Sequence, residues 1–199
     1  MRVIVGLGNP GSQYAGSRHN VGFSVVEELS RRWRLPLGRV RHGLRVARGK
    51  VAGQHVALIE PQMYMNVSGP ALGRAGQRIE AKRLIVVHDD LDLELGSVRV
   101  KCGGGTAGHH GLDSIVDCYG PDFVRVRVGV GRPPHGEDGV DYVLSRFREE
   151  EREAVGAAID RAADAVEHII TAGEQAAMNT FNTRPGKRSP LPAEPVGRN

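Results

Sequence analysis

The chain has 199 residues, with 27 Lys and Arg against 23 Asp and Glu, a net charge of +4 and 40% hydrophobic residues. This length suits one domain with a sizeable core, and the composition is typical of a soluble globular protein. No apolar run approaches the roughly 18 residues that a membrane span needs, and the apolar stretch at the N-terminus is too short for a signal peptide. Collagen, disulfide scaffolds and membrane proteins are therefore excluded. With only Cys102 and Cys118 present, we expect a reducing, cytoplasmic compartment.

The charged residues are distributed unevenly. Residues 31–50 contain eight Lys or Arg and no acid, whereas residues 137–167 contain ten acids and four Arg. Residues 184–199 include four prolines, four basic residues and one acid, which predicts a disordered basic tail. Residues 1–183, the predicted folded domain, thus carry 23 basic and 22 acidic groups. A polyanionic partner must therefore be argued from where a few basic groups lie and not from total charge.

Apolar periodicity predicts six strands and four helices. In chain order they are a strand at residues 2–5, a helix at Val21–Trp33, strands at 44–50 and 55–60, a helix at 68–78 with Ser68 as its N-cap, strands at 83–88 and 97–102, a helix at 111–119, a strand at 123–129 and a long amphipathic helix at 149–177. Strands that alternate with helices indicate an α/β fold, here a single-domain sandwich with a mixed, partly parallel sheet flanked by helices.

Two glycine-rich segments follow predicted strands. Residues 6–11 (GLGNPG) match a GxGxxG pattern, but Pro10 and the polar segment after it do not begin a helix, so we reject a dinucleotide site. Residues 103–108 (GGGTAG) lie between a strand and a helix and lack the GK[ST] of a P-loop. Their backbone amides can bind an anion or a carbonyl, or the loop simply needs positive φ angles. The sequence leaves both alternatives open.

Side chains with catalytic chemistry follow the predicted strands at their carboxyl ends, where ligands of such sheets bind. Asn9 follows the first strand, Tyr64 to Asn66 follow the third, Asp89 follows the fourth, and the glycine-rich loop at 103–108 follows the fifth. His19 can take a proton from water when an acceptor such as Asp89 fixes its tautomer. Asn9 and Asn66 can hold a water molecule or polarise a carbonyl without competing as bases.

Each of these residues also has an ordinary structural interpretation: a surface histidine, turn-forming asparagines or a solvated acidic turn. Lys101 and Arg127 can clamp a phosphate or form exposed ion pairs. A metal site is a further alternative, because five side chains are of ligand type: His88, Asp89, Asp90, His109 and His110. No HExxH, HxH or cysteine spacing supports it, so no metal or cofactor is predicted.

Four blocks of the sequence resemble the bacterial peptidyl-tRNA hydrolase family. They are residues 5–23 (VGLGNPGSQYAGSRHNVGF), 61–69 (PQMYMNVSG), 88–96 (HDDLDLELG) and 103–112 (GGGTAGHHGL). The resemblance extends from about residue 2 to residue 182, with the blocks in order. It implies a monomeric, metal-free α/β domain around a mixed twisted sheet. It also implies cleavage of the ester between a peptide and the 3′-terminal ribose of tRNA, which recycles tRNA from aborted translation.

The resemblance assigns His19 as the catalytic histidine, Asp89 as its partner, and Asn9 and Asn66 as active-site asparagines. It places contacts to substrate or tRNA at a second set: Tyr14, Tyr64, Met65, Asn66, Lys101, Gly108, His109, His110 and Arg127. The family's GGHNGL loop differs here, because His110, which is bulkier and titratable, takes the position of a functional asparagine. The main alternative function is a non-enzymatic RNA-binding relative, and the third is a metal-dependent hydrolase.

Overall fold

The computed structural model describes residues 1–74 and 79–183, and six strands of these form one mixed sheet. The strands are β1 (Arg2–Gly6), β2 (Leu44–Val51), β3 (Gln54–Pro61), β4 (Leu84–Asp90), β5 (Val98–Cys102) and β6 (Val124–Gly129). Their order is β2-β3-β1-β4-β6-β5. The four inner strands are parallel, and β2 and β5 run antiparallel at the two edges. The predicted α/β class, the mixed sheet and all six strands are confirmed.

Helices cover both faces of the sheet. In the described part of the chain they are α1 (Val21–Trp33), α2 (Ser68–Gly73), α3 (His110–Tyr119), α4 (Gly139–Leu144), α5 (Arg152–Ala172) and α6 (Glu174–Phe181). Helices α1, α5 and α6 pack on one face, and α2 and α3 on the other. None of the helices in residues 1–74 and 79–183 has the length and apolar character to cross a membrane.

The central strands are apolar at successive positions because both faces of the sheet are covered. In β1, Ile4 belongs to the core under α1 and α5, whereas Val3 and Val5 belong to the core under α2 and α3. Gly22 allows α1 to approach the strand ends, since a Cβ there would lie 2.5 Å from the carbonyl oxygens of Leu7 and Val87. This close packing brings the start of α1 to the carboxyl edge of the sheet.

Two predicted helices differ from the structure. Ser68 does not cap α2, because Val67 occupies the N-cap position and the Ser68 hydroxyl donates to the Met65 carbonyl. The predicted continuation through residues 75–78 lies outside the described residues. The predicted helix at 149–177 begins as a 3-10 turn, and Gly173 (φ 90°) divides the rest into α5 and α6. The apolar pattern in the sequence continues across Gly173 because α5 and α6 both bury residues in the same core.

Helix α4 was not predicted. It is short, and Asp138 caps it by accepting hydrogen bonds from the N–H groups of Val140 and Asp141. The predicted tail, residues 184–199, also lies outside the described residues, so the proposed division of the chain into a folded domain and a tail stays a prediction.

Candidate functional site

A cavity of about 860 Å³ opens at the carboxyl edge of the parallel strands. Nine of the predicted site residues line it: Asn9, His19, Tyr64, Met65, Asn66, Asp89, Gly108, His109 and His110. Three predicted site residues, Tyr14, Lys101 and Arg127, do not line it. The sequence blocks that are far apart along the chain therefore meet at one edge of the sheet.

The segment that carries His19 is held by its neighbour Arg18. The Arg18 side chain is buried, donates to Glu151 at 2.8 Å and lies over the Tyr142 ring at 4.3 Å from its centre. The Arg18 N–H also donates to the Ser145 carbonyl at 3.0 Å. These contacts join the 3-10 turn Arg18–Asn20 to the end of α4. They hold the backbone of His19 in place.

His19 and Asp89 form the central pair of the cavity. The Nδ1 atom of His19 is 2.9 Å from both carboxylate oxygens of Asp89, which is 3% exposed. A carboxylate is an acceptor, so His19 Nδ1 carries the proton and donates it. The lone pair of His19 Nε2 is then available to a water molecule in the cavity.

Asp89 accepts a second hydrogen bond, from His109 Nε2 at 3.0 Å. His109 is the N-cap of α3, and its Nδ1 accepts from the N–H groups of Gly111 and Leu112. Because Nδ1 is an acceptor, Nε2 must carry the proton. Burial alone would raise the pKa of Asp89, but attraction and hydrogen bonds from His109 and His19 hold that pKa well below its usual range. Asp89 is therefore a permanent anion that stabilises positive charge on His19.

A third histidine lies under this pair. His88 is buried, donates from Nδ1 to the Asp89 carbonyl at 2.7 Å, and meets the His109 ring edge-on at 5.1 Å. Burial, reinforced by the neighbouring His109, lowers the pKa of His88 to about 3. His88 thus stays neutral and supports the other rings by packing.

The structure brings together a different set of possible metal ligands from the set predicted in the sequence. Among the described residues, His19, Asp89 and His109 bring three ligand-type atoms within 4.8 Å of one another. In the predicted metal set, His88 instead donates to backbone, and His110 points to Asp113 at 3.7 Å. Direct N–H···O hydrogen bonds from His19 and His109 to Asp89 account for the short distances among the three side chains.

The first loop is organised around Asn9. Asn20 accepts from the Asn9 N–H at 2.8 Å and donates to the Asn9 carbonyl at 2.9 Å. The side-chain oxygen of Asn9 accepts from the Met65 N–H at 2.8 Å. With that oxygen occupied, the amide NH₂ of Asn9 is the group left to donate to a substrate. Asn66 is exposed and lines the same cavity.

The family model for peptidyl-tRNA hydrolase matches residues 3–189. The chain belongs to this family. It is 52% identical to the peptidyl-tRNA hydrolase of Rubrobacter xylanophilus over 90% of this chain and 99% of that protein. It is 45% identical to that of Chloroflexus aggregans over 92% and 99%. The crystal structure of peptidyl-tRNA hydrolase from Acinetobacter baumannii matches with a TM-score of 0.85 at 37% identity, covering 92% of this chain and 94% of that one. The predicted family resemblance is confirmed.

The glycine loop of this family member takes an unexpected path. We expected the loop to follow the fifth strand at the cavity edge, but β5 runs antiparallel, and Cys102 pairs with Val124 at the start of β6. The loop therefore begins at the opposite edge of the sheet. It returns along the face, held by Arg125, which donates to the carbonyls of Gly104 and Gly105, so that its end reaches the cavity.

Neither of the two predicted phosphate contacts, Lys101 and Arg127, lines the cavity, although Asp90, the partner of Arg127, does. Lys101 lies opposite Arg125 in the ladder, with its ammonium group against Gly104. Arg127 donates to Asp90 at 2.7 Å and is partly buried. Their role in tRNA binding stays a prediction for this family member, and so does the role of Tyr14, in the 3-10 turn Ser12–Tyr14.

Several cavity residues were missed in the sequence. Helix α4 contributes an apolar wall through Val140, Val143 and Leu144, and β4 is followed by Leu91 at the same opening. The signal for α4 was present, because Asp138 precedes a short apolar segment as an N-cap does. His109 was predicted as a substrate contact, but its hydrogen bond to Asp89 had no such signal, since 20 residues separate the two along the chain.

Proposed function

We propose that the protein hydrolyses the ester bond of peptidyl-tRNA, with His19 as general base, Asp89 as its orienting anion, and Asn9 and Asn66 as substrate-positioning groups. The observation that supports this best is the paired hydrogen bond from His19 Nδ1 to both oxygens of Asp89. It selects the tautomer whose Nε2 can accept a proton. Membership of the peptidyl-tRNA hydrolase family supplies the substrate class.

In the first step, His19 Nε2 takes a proton from a water molecule, and the water oxygen attacks the ester carbonyl carbon. Negative charge develops on the former carbonyl oxygen, which accepts hydrogen bonds from the Asn9 amide and the Asn66 side chain; both residues line the cavity. The intermediate then expels the ribose 3′ oxygen, which receives the proton held on His19. Asp89 stabilises the imidazolium throughout, because it is charged and accepts from the same ring.

The walls of the cavity suit a substrate of mixed chemistry. Tyr64 is 62% exposed and Val140 is 59% exposed beside the catalytic pair, so apolar surface is available to a peptide side chain or a base. The polar side chains of His19, Asn9 and Asn66 line the same cavity. An ester of a peptide with a ribose presents this combination of apolar and polar groups.

The decisive assay measures release of free tRNA from an N-acetylated aminoacyl-tRNA, with and without a metal chelator. We expect turnover that the chelator leaves unchanged. Chelator-sensitive turnover would support a metal held by His19, Asp89 and His109. Binding of tRNA without turnover would support a non-enzymatic RNA-binding relative.

The residue test is His19→Ala, measured in the same assay and for tRNA affinity. We expect kcat to fall at least about 10³-fold with affinity within about twofold, because the base is lost while the RNA contacts stay. A matched control is His55→Ala, since His55 is an exposed histidine at the other end of the sheet. Turnover by His19→Ala close to that of the control would contradict the general-base role.

A further inference from the structure

A second cavity, of about 520 Å³, lies at the outer edge of β2. Its walls carry four arginines and one histidine, all exposed: Arg39, Arg41, His42, Arg48 and Arg74. No acidic residue lines it among the residues that the structure describes. We call this cavity, with its five basic residues, the arginine pocket.

The backbone beside β2 presents these side chains. Residues 38–41 run back along the edge strand, where the Gly38 N–H donates to the Val46 carbonyl at 3.2 Å. Arg41 and Leu44 then exchange two backbone hydrogen bonds of 2.9 and 3.0 Å around a tight turn. The loop thus contributes Arg39 and Arg41, while β2 contributes Arg48 and the end of α2 contributes Arg74.

The arginine pocket lies at the same edge of the sheet as the catalytic cavity. Leu44, the first residue of β2, pairs with Pro61 at the carboxyl end of β3, and the Gln62 N–H donates to Gly43 at 2.7 Å. Arg74 contacts the Met63 sulfur at 3.4 Å, and Met63 directly precedes Tyr64 of the catalytic cavity. In the sheet, β3 lies between β2 and β1, so two strand spacings, a distance of roughly 10 Å, separate β2 from β1.

Two arginines of the pocket, Arg39 and Arg41, carry positive charge that no acidic residue in the described part of the chain neutralises. Arg39 and Arg41 form no ion pair within residues 1–74 and 79–183. On β6, by contrast, Arg127 is paired with Asp90, and Arg125 is buried and donates to the carbonyls of Gly104 and Gly105. Like charges around one concave site repel, so an anion that enters it gains both Coulomb energy and hydrogen bonds. The guanidinium fork fits phosphate oxygens in two-point contacts.

We propose that the arginine pocket binds phosphate groups of the tRNA acceptor arm, as an RNA contact on the β2 side of the catalytic cavity; this rests on the proposed function. Phosphates fit better than acidic peptide side chains because every peptidyl-tRNA carries the phosphates, whereas the peptide varies. The contact carries charge and no base sequence, so it serves all tRNAs equally.

The test compares a double variant, Arg39→Ala with Arg41→Ala, with a control that loses the same charge elsewhere, Lys50→Ala with Lys82→Ala. Lys50 and Lys82 are exposed and lie at the opposite end of the strands from Leu44 and Pro61, Lys50 opposite His55 in the ladder and Lys82 just before β4. Affinity for uncharged tRNA is measured between 50 and 200 mM salt. Turnover is measured on N-acetylated aminoacyl-tRNA and on the same ester carried by a CCA trinucleotide, with a neutral and with an acidic peptide.

We expect the arginine double variant to bind tRNA at least about fivefold more weakly at low salt, with a salt slope smaller by about one to two. The lysine control should change affinity less than about twofold. Turnover of both trinucleotide esters should match the parent protein, because the acceptor stem is missing from them. All these variants replace exposed side chains, so folding should be preserved.

Three outcomes overturn the proposal or separate it from the proposed function. Affinity and slope equal to those of the lysine control would overturn it. Intact tRNA affinity with loss of turnover confined to the acidic-peptide ester would overturn it in favour of a peptide site. If the parent protein hydrolyses no substrate, the proposed function fails, and the tRNA-binding measurement by itself still decides whether the arginine pocket binds RNA.

Discussion

Two buried carboxylates, Asp89 and Glu60, lie near the carboxyl ends of neighbouring parts of the sheet and behave in opposite ways. Asp89 is 3% exposed and Glu60 is 0% exposed. Asp89 accepts from two histidine rings, and its pKa is held well below the usual range. Burial raises the pKa of Glu60 to about 7, although Arg45 contacts one of its oxygens at 2.8 Å.

The difference shows that burial does not decide the charge of a carboxylate here; the number of donors does. Glu60 has one oxygen without a hydrogen-bond partner among the described residues, whereas both oxygens of Asp89 face ring N–H groups. A carboxylate with satisfied oxygens stays ionised and can stabilise a cation beside it. Of these two carboxylates, Asp89 meets this requirement and lines the catalytic cavity, and Glu60 does neither.

The largest effect that this comparison predicts is on turnover. Asp89→Asn should lower kcat about 10²- to 10⁴-fold, because an amide no longer fixes the His19 tautomer or stabilises the imidazolium. The measurement is tRNA release under saturating substrate. Glu60→Gln is the matched control and should keep kcat within about twofold. Equal effects of the two substitutions on kcat would show that the difference in charge between Asp89 and Glu60 does not matter for catalysis.

A smaller effect is expected when Asp89 loses one of its two donors. His109→Ala removes that hydrogen bond and the N-cap of α3, so kcat should fall about tenfold and the free energy of unfolding by about 1 kcal/mol. Assays of tRNA release and urea unfolding measure both quantities.

The control for this variant is His110→Asn, which restores the family's asparagine. The His110 side chain is 72% exposed, and its Nδ1 atom lies 3.7 Å from the Asp113 carboxylate. Its effect on the free energy of unfolding should stay within about 0.5 kcal/mol. Its kcat should stay within about threefold of the parent, since His110 makes no contact with Asp89. If His109→Ala behaves like this control, the second donor to Asp89 is dispensable.

The variant with the smallest expected effect on turnover, Glu60→Gln, should instead change how the free energy of unfolding depends on pH. The pKa of Glu60 rises from 4.5 to about 7 on folding, so between these values the folded state keeps a proton that the unfolded state has lost. Stability from this group is therefore full below pH 4.5 and is lost as the pH rises through about 7. In Glu60→Gln this loss disappears, a difference on the order of 2–3 kcal/mol at pH 8.

Urea unfolding at several pH values between 4 and 8 measures this dependence. Asp89 acts with the opposite sign: its stabilisation is present above pH 3.8 and is lost as the pH falls towards its lowered pKa. An unchanged slope between pH 4.5 and 7 in Glu60→Gln would show that Glu60 is already ionised in the folded protein.

Local sequence determined most of the elements and many of the site residues. The apolar period of Val21–Trp33 predicted α1 with its observed bounds, and the alternation of strands with helices predicted the α/β class. Motif residues such as His19, Asn9 and Asn66 line one cavity because the carboxyl ends of parallel strands meet at one edge. These features depend on neighbouring residues and on a general rule of sheet geometry, so they can be predicted from a single sequence.

Tertiary structure decided the direction of β5, the position of α4 and the second partner of Asp89. The antiparallel pairing of β5 with β6 moves the start of the glycine loop and Lys101 to the far edge of the sheet, against expectation. Arg18 contacts the end of α4 through the Ser145 carbonyl and the start of α5 through Glu151, 133 residues away, and the arginine pocket joins residues from a loop, β2 and α2. Strand direction and long-range hydrogen bonds depend on which distant segments pair, and no local pattern of side chains encodes that choice.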